Sequence, residues 1–357
     1  MLSPSSQLTL PEKVALQSKV ISEGNVADLR GRMLKDLRLS IIDRCNLRCQ
    51  YCLPAELFGE DFRFRSIREL LSYDQLAQIA DAFVKLGVEK IRLTGGEPLL
   101  RPQIADFVAR LKSEHPAVDL ALTTNGMRLK AMAPELRQAG LDRVNISLDA
   151  LDPIVAAKMA GRHYNPWTII EAAISAREAG LGVKLNAVIK RGVNDSEILP
   201  LAKMARTHGF ALRYIEYMDV GATNGWRKED VVTGAEIRRL LTQLAELEPM
   251  RPAVFGEVAR RYRYLDSGLE VGFIESISQP FCGSCTRARV SAMGELYTCL
   301  FANRGISLKP HFADDNFAEA VRNIWLRRKD NYSELRRIKP HGLGPDESPA
   351  EMWKLGG

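Results

Sequence analysis

The chain lacks the features that would place it in a membrane or a secretory route. No apolar run approaches the roughly 20 residues of a spanning helix. The opening residues, MLSPSSQLTLPEKVALQSKV, have neither the basic start nor the continuous apolar stretch of a secretory signal. A cytoplasmic protein with no membrane partner is the expectation. Low-complexity tracts are absent, as is any internal repeat beyond one recurring β/α unit, which excludes fibrous and solenoid architectures. Charge of one sign is scarce too: 50 Lys and Arg oppose 44 Asp and Glu, a formal +6 in 357 residues. That excess is too weak and too interspersed for a nucleic-acid stripe, although it favours a small polyanion held in a cleft. Cysteine is confined to six positions, and none lies outside the two triplets Cys45, Cys49, Cys52 and Cys282, Cys285, Cys299. Clusters of this spacing are metal or cluster ligands more often than disulfides in a reducing compartment.

Triplets are one ligand short of a closed site, because structural zinc and a four-iron cube both take four. Each leaves one position for something else. A zinc knuckle completed by histidine remains an alternative, but the nearest histidine in sequence to the first triplet is His115.

From Leu37 onward, short runs rich in Val, Ile and Leu alternate with helical stretches. The runs are 37–42, 88–94, 118–124, 143–148, 182–189 and 211–217; the helices are clearest at 73–87, 103–114, 131–139, 167–179 and 195–208. Six β/α units predict a parallel sheet with right-handed crossovers, either doubly wound or an incomplete barrel. Period-two alternation separates Leu37, Leu39 and Ile41 from Arg38 and Ser40, Ile91 and Leu93 from Lys90, Arg92 and Thr94, and Val183, Leu185 and Ala187 from Lys184 and Asn186. A doubly wound sheet is apolar on both faces, so one polar, cationic face suits a barrel lumen that holds a ligand. A face merely bathed in solvent would show the same pattern. The expected organisation is an arm over 1–34, an α/β incomplete (β/α)6 TIM-like barrel over 35–217 and a C-terminal α+β domain over 218–357 that carries the second triplet and strands around 254–264 and 269–275.

The motif DRCNLRCQYCLP, with Cys45, Cys49 and Cys52 spaced C-x3-C-x2-C after the first strand, resembles the signature of the radical S-adenosylmethionine (SAM) enzymes. The resemblance implies a 4Fe-4S cluster whose fourth iron is chelated by SAM. Thr94-Gly95-Gly96-Glu97-Pro98 resembles the GGEP element of that family, and Tyr51, Gly96, Glu97, Ser147 and Met218 become candidates for the SAM pocket. The second segment, FCGSCTRARVSAMGELYTCLF, supplies Cys282, Cys285 and Cys299 with Arg287 and Arg289 between them, two guanidiniums on one face of an extended stretch and suited to phosphate.

The whole pattern from about Arg38 onward is similar to the GTP 3',8-cyclase family, which acts first in molybdenum cofactor biosynthesis. That resemblance implies a second 4Fe-4S cluster, with Arg38, Lys90, Arg92, Thr123, Lys184, Arg213, Arg287 and Arg289 binding GTP. It also implies that the terminal Gly356 and Gly357 work inside the active site. The expected partners are an electron donor such as flavodoxin or ferredoxin, a downstream cyclic pyranopterin monophosphate synthase and a second copy of the chain in a homodimer. A peptide-modifying radical SAM maturase and a non-catalytic iron-sulfur or zinc regulator are the competing readings.

Overall fold

A computed structural model describes residues 25–221, 223–336 and 350–355. The expected arm lies outside these residues up to position 24, as do Gly356 and Gly357. The core is a run of β/α units: β1 (Asp36–Ile42), α1 (Tyr73–Lys85), β2 (Lys90–Gly95), α2 (Ile104–Glu114), β3 (Asp119–Thr124), α3 (Leu129–Gln138), β4 (Arg143–Ser147), α4 (Pro153–Ala160), α5 (Pro166–Glu178), β5 (Gly182–Ile189), α6 (Ile198–His208) and β6 (Ala211–Glu216). Local chemistry sets several of the boundaries. Ser72 and Gln75 form a reciprocal capping box at the start of α1, and Gly209 ends α6 in the left-handed conformation at φ 69°.

The chain continues with α7 (Gly234–Leu241), β7 (Leu247–Pro249), β8 (Arg260–Tyr264), β9 (Glu270–Ile274), β10 (Arg287–Val290), β11 (Glu295–Tyr297), β12 (Ile306–Ser307), α8 (Phe317–Leu326), α9 (Tyr332–Leu335) and α10 (Met352–Leu355). Among the described residues all twelve strands belong to one sheet, ordered β12-β11-β10-β1-β2-β3-β4-β5-β6-β9-β8-β7. The six leading strands pair in parallel and in sequence order. Strand β10 adds in parallel beside β1, and β9 adds in parallel beside β6. The C-terminal strands therefore extend the barrel at both of its open edges, an arrangement with no local signal because each pairing joins residues far apart in sequence. The segment expected to be extended from 254 begins its strand only at Arg260.

Apolar side chains of the alternating strands, Leu37, Leu39, Ile41, Ile91, Leu93, Val144, Ile146 and Leu185 among them, are buried against the helices in a single core. Burial of this layer, at about 25 cal/mol per Å² of apolar surface, holds the strands so that their polar partners face the concave side. The helix α4 went unforeseen in sequence, where Pro153 and Gly161 frame only two turns. It begins on an N-cap, Asp152, whose side chain accepts from the amides of Ile154 and Val155.

Candidate active site

A cavity of about 900 Å³ opens on the concave face, and all six cysteines line it. So do Arg38, Tyr51, Lys90, Arg92, Gly96, Glu97, Thr123, Ser147, Lys184, Arg213, Met218, Arg287 and Arg289. Every described position singled out from sequence thus meets in one space, although the positions span residues 38 to 299. In barrels of this kind, ligand groups gather at the C-terminal ends of the strands.

The first cysteine loop leaves β1 and is gripped by backbone on two sides. On one, the amides of Gly96 and Glu97 donate to the carbonyls of Ile42 and Arg44, both at 2.8 Å. On the other, the amides of Arg48 and Gln50 donate to the carbonyls of Ala160 and Met159 at the end of α4. A Cβ on Gly96 would stand 2.2 Å from the Arg44 carbonyl oxygen, and one on Gly161 would stand 2.2 Å from that of Arg48. Glycine is required at both positions because backbone meets backbone there.

Glu97 uses its carboxylate within the protein. Oε1 accepts from the Leu99 amide and the Thr124 hydroxyl, and Oε2 accepts from the Asn125 amide. The side chain stitches the ends of β2 and β3 together. Burial raises its pKa to about 7. Tyr51 donates its hydroxyl to Asp149 at 2.8 Å, and the other oxygen of Asp149 accepts from the Val188 amide. Burial raises Asp149 to about 6.

The thiols of the first loop are desolvated: burial pushes Cys45 up to about 11 and moves Cys49 and Cys52 upward as well. Three thiolates persist in such a corner only beside compensating cations, which the irons of a cluster supply. In the second set, burial would also raise Cys285, but Arg287, Arg328 and Arg289 reverse the balance and hold it at about 6. Among the described residues no group of three or more His, Cys, Asp and Glu is placed to hold a single metal ion. Each set offers three free thiols, a donor set that suits three irons of a four-iron cube and leaves the fourth for another ligand.

The cationic wall follows from strand register. Arg289, Arg38 and Arg92 lie opposite one another across β10, β1 and β2, and Arg287, Asp36 and Lys90 form the adjoining row. The Nε atoms of Arg38, Arg92, Arg213, Arg287 and Arg289 are buried without a hydrogen-bond partner. Burial and neighbouring guanidiniums pull Arg213 and Arg289 down to about 10 and Arg38 downward too. Burial likewise lowers Lys90 to about 8, against the pull of Asp36 at 3.7 Å. So many desolvated cations with so few carboxylates call for an anion.

Sequence reasoning missed several members of this wall. Arg143, the first residue of β4, lines the cavity and pairs with Asp119. Arg261 pairs with Glu270 at 2.8 Å, and Glu270 also faces Lys184 at 3.9 Å. The loop 253–259 lines the cavity with Val254 and Phe255, both largely exposed. Alternation within β4 could have found Arg143, which shares the face of Asn145 and Ser147. The loop carries no comparable pattern.

The last described segment crosses between the two cysteine sets. Met352 packs with Val220 and Phe301 in a cluster that Tyr51, Cys52, Met218 and Cys299 also touch. Trp353 joins Leu53 and Phe58 in a second cluster, against which Cys45, Cys52, Phe62 and Phe64 pack.

Comparison with known proteins agrees with this arrangement. Residues 39–205 match the radical SAM superfamily and residues 210–334 match the molybdenum cofactor synthesis C family. A GTP 3',8-cyclase of Acidothermus cellulolyticus is 47% identical over 341 residues, 93% of this chain and 94% of that protein. One from Xanthomonas axonopodis pv. citri is 46% identical over 92% of this chain and 98% of its own length, and one from Staphylococcus aureus is 44% identical over 87% and 93%. Among solved structures, Streptococcus suis SuiB bound to S-adenosylmethionine superposes with a TM-score of 0.59 at 15% identity, covering 99% of this chain and 79% of that one. The anSMEcpe structure with bound AdoMet reaches 0.53 at 13% identity, covering 89% and 93%, and both likenesses speak to the fold alone. A parallel barrel that gathers two cysteine triplets around one cationic cavity, with relatives this similar along nearly the whole chain, belongs to the radical SAM superfamily and, within it, to the GTP 3',8-cyclase family.

Proposed function

We propose that this cavity converts GTP to 3',8-cyclo-7,8-dihydro-GTP, the first step of molybdenum cofactor biosynthesis, with residues 35–217 as the catalytic barrel and 218–357 as the unit that completes the substrate site. The observation that carries the reading is the joining in a single cavity of both cysteine triplets and the guanidiniums of Arg38, Arg92, Arg213, Arg287 and Arg289, whose buried Nε atoms lack a hydrogen-bond partner. In this reading Cys45, Cys49 and Cys52 hold the first 4Fe-4S cluster and Cys282, Cys285 and Cys299 the second. When bound, the first cluster would supply, with SAM and one electron, a 5'-deoxyadenosyl radical able to take hydrogen from C3' of GTP; bonding of C3' to guanine C8 would leave one unpaired electron on the purine, and a second electron from the external donor with a proton would complete the dihydro product.

The residues of the chain then have positional tasks. Tyr51, Ser147, Met218 and the backbone at Gly96 and Glu97 form the SAM pocket. Arg38, Lys90, Arg92, Lys184, Arg213, Arg287 and Arg289, with Thr123, meet the nucleotide. The cationic rows fix the triphosphate and thereby hold the ribose at a set distance from the first triplet, a gain in orientation and not in acid-base catalysis. The described tail, 350–355, covers the space between the triplets and limits access of water to a radical. Gly356 and Gly357 follow directly on this segment and are proposed to reach into the active site.

An external one-electron donor such as flavodoxin or ferredoxin is required to start each turnover, and a cyclic pyranopterin monophosphate synthase is proposed to take the product. Assembly as a homodimer and residence in the cytoplasm belong to the same proposal. No helix among the described residues is long and apolar enough to cross a membrane. The test is anaerobic: the reconstituted protein with SAM and reductant should form 5'-deoxyadenosine in a GTP-dependent manner. Formation that GTP does not stimulate, together with no cyclised nucleotide, would refute the reading.

A further inference from the structure

Behind the second triplet, outside the cavity wall, lies a buried network that the cyclisation itself does not call for. Asp28, Arg32 and Arg328 have side chains no more than 1% exposed. Arg32 Nε donates to Asp28 Oδ2 at 2.6 Å, and Arg328 reaches the same oxygen at 3.4 Å. One Nη of each guanidinium also reaches the cysteine loop. Arg32 Nη1 donates to the Cys282 carbonyl at 3.0 Å and to that of Asp330 at 2.7 Å. Arg328 Nη1 donates to the Cys285 carbonyl at 2.8 Å. Asp330 faces Arg328 Nε at 3.5 Å and accepts the Thr298 hydroxyl at 2.6 Å, one residue before Cys299. Around them Trp325 donates Nε1 to the Arg32 carbonyl, and Arg328 stacks over the Trp325 ring at 4.4 Å.

A buried ion network is weak evidence for stability, because well-packed apolar residues would serve as well or better. What apolar residues lack is a set of donors aimed at chosen carbonyls. Here all three ligand positions of the second triplet are tied, two at their own carbonyls and the third through its neighbour. Two cations and two carboxylates also leave the network formally neutral.

We propose that Asp28, Arg32, Arg328 and Asp330 act as a clamp that positions the ligands of the second cluster while adding no net charge of its own. The surroundings of that cluster are already made cationic by Arg287 and Arg289. They are positioning residues, and the proposal rests on the reading of Cys282, Cys285 and Cys299 as cluster ligands. Removing one charged member would leave an uncompensated charge beside the cluster, with a sign that depends on the member removed. Loss of a cation disfavours adding an electron, and loss of an anion favours it.

The experiment uses the full chain with Cys45, Cys49 and Cys52 replaced by Ala, so that only the second cluster remains. After anaerobic reconstitution this parent should hold about four irons per chain. In a redox titration followed by electron paramagnetic resonance, Arg328→Gln should lower the midpoint potential and Asp28→Asn should raise it, whereas a merely structural role predicts no such opposition. Thr298→Val, which cuts one tie without changing charge, should speed loss of iron to a chelator several-fold while the melting temperature stays that of the parent. This variant carries the test if either charge variant does not fold. A parent without iron overturns the cluster reading and the clamp with it. A loaded parent whose variants do not shift, or shift in the same direction, overturns the clamp alone, as does an unchanged chelation rate in Thr298→Val.

Discussion

Arg38 and Arg289 stand directly opposite each other on neighbouring parallel strands, and the positive charge of each disfavours that of the other. Arg289 is 2% exposed, and its Nε has no hydrogen-bond partner. Such a pair stores repulsion that an incoming anion relieves.

Function and stability should therefore separate at this pair. Arg289→Met is expected to raise the stability of the nucleotide-free protein by about 1–3 kcal/mol, within the range seen when buried charges are replaced by packed apolar groups. It should also weaken GTP binding by about tenfold or more, since about 1.4 kcal/mol of lost contact has that effect. Arg287→Ala with Arg289→Ala should weaken GTP further while SAM cleavage by added reductant survives. Calorimetric unfolding and titration with GTP check both, and a destabilised Arg289→Met protein would contradict the argument.

The glycines that grip the first cysteine loop make a second prediction. Alanine at Gly96 would place its Cβ 2.2 Å from the Arg44 oxygen and 2.5 Å from the Arg44 carbonyl carbon, and neither backbone atom can retreat alone. Gly96→Ala and Gly161→Ala should each lower iron from about eight to about four per chain, with the second triplet still loaded. Iron analysis with Cys285→Ala as the reciprocal control decides this.

Proton uptake provides a third. Lys90 sits near pKa 8, lowered by burial and further by Arg92 and Arg143, while Asp36 and Asp119 pull it upward. At pH 8 about half of this amine is neutral. A triphosphate favours the charged form, so GTP binding near pH 8 should take up a fraction of a proton, and affinity should fall as pH rises through 8. In calorimetry across buffers of different ionisation enthalpy, Lys90→Met should bind more weakly and lose that uptake. Equal uptake in both proteins would remove Lys90 from the nucleotide site.

The Tyr51 to Asp149 hydrogen bond offers a fourth. Tyr51→Phe leaves a buried carboxylate oxygen without its donor, a loss worth about 1–3 kcal/mol, and frees Asp149 to titrate above its present value of about 6. SAM affinity should fall several-fold near pH 7 while GTP affinity holds. A variant with unchanged SAM affinity would place this pair outside the SAM pocket.

Much of the site was legible because its signals are local. Cysteine spacing, the two glycines at the end of β2 and the alternation of Arg and Lys with Leu and Ile act over two to 17 residues. The alternation of β1, β2 and β5 was enough to assign a cationic face, since a period of two leaves each side chain only one of two faces, while its enclosure in a cavity came from the fold. Glu97 shows the limit of such reading: its motif pointed toward a cofactor, yet its carboxylate is consumed by Thr124 and Asn125. The helix α4 shows another, because its part in bracing Arg48 and Gln50 depends on a contact more than 100 residues away in sequence.

Periodicity and motif spacing determined the run of parallel β/α units, the two incomplete ligand sets and the charge of one strand face, all properties that neighbouring residues decide among themselves. The union of the triplets in one cavity was left to the fold, as were the seating of β10 against β1 and the clamp from Asp28 to Cys282 and Cys285. The strand pairing and the Arg32 tie to Cys282 join segments some 250 residues apart, and the Arg328 tie to Cys285 spans 43. Their pairing is chosen by which buried surfaces and unsatisfied backbone groups can meet once the chain has closed, and no local pattern encodes that choice.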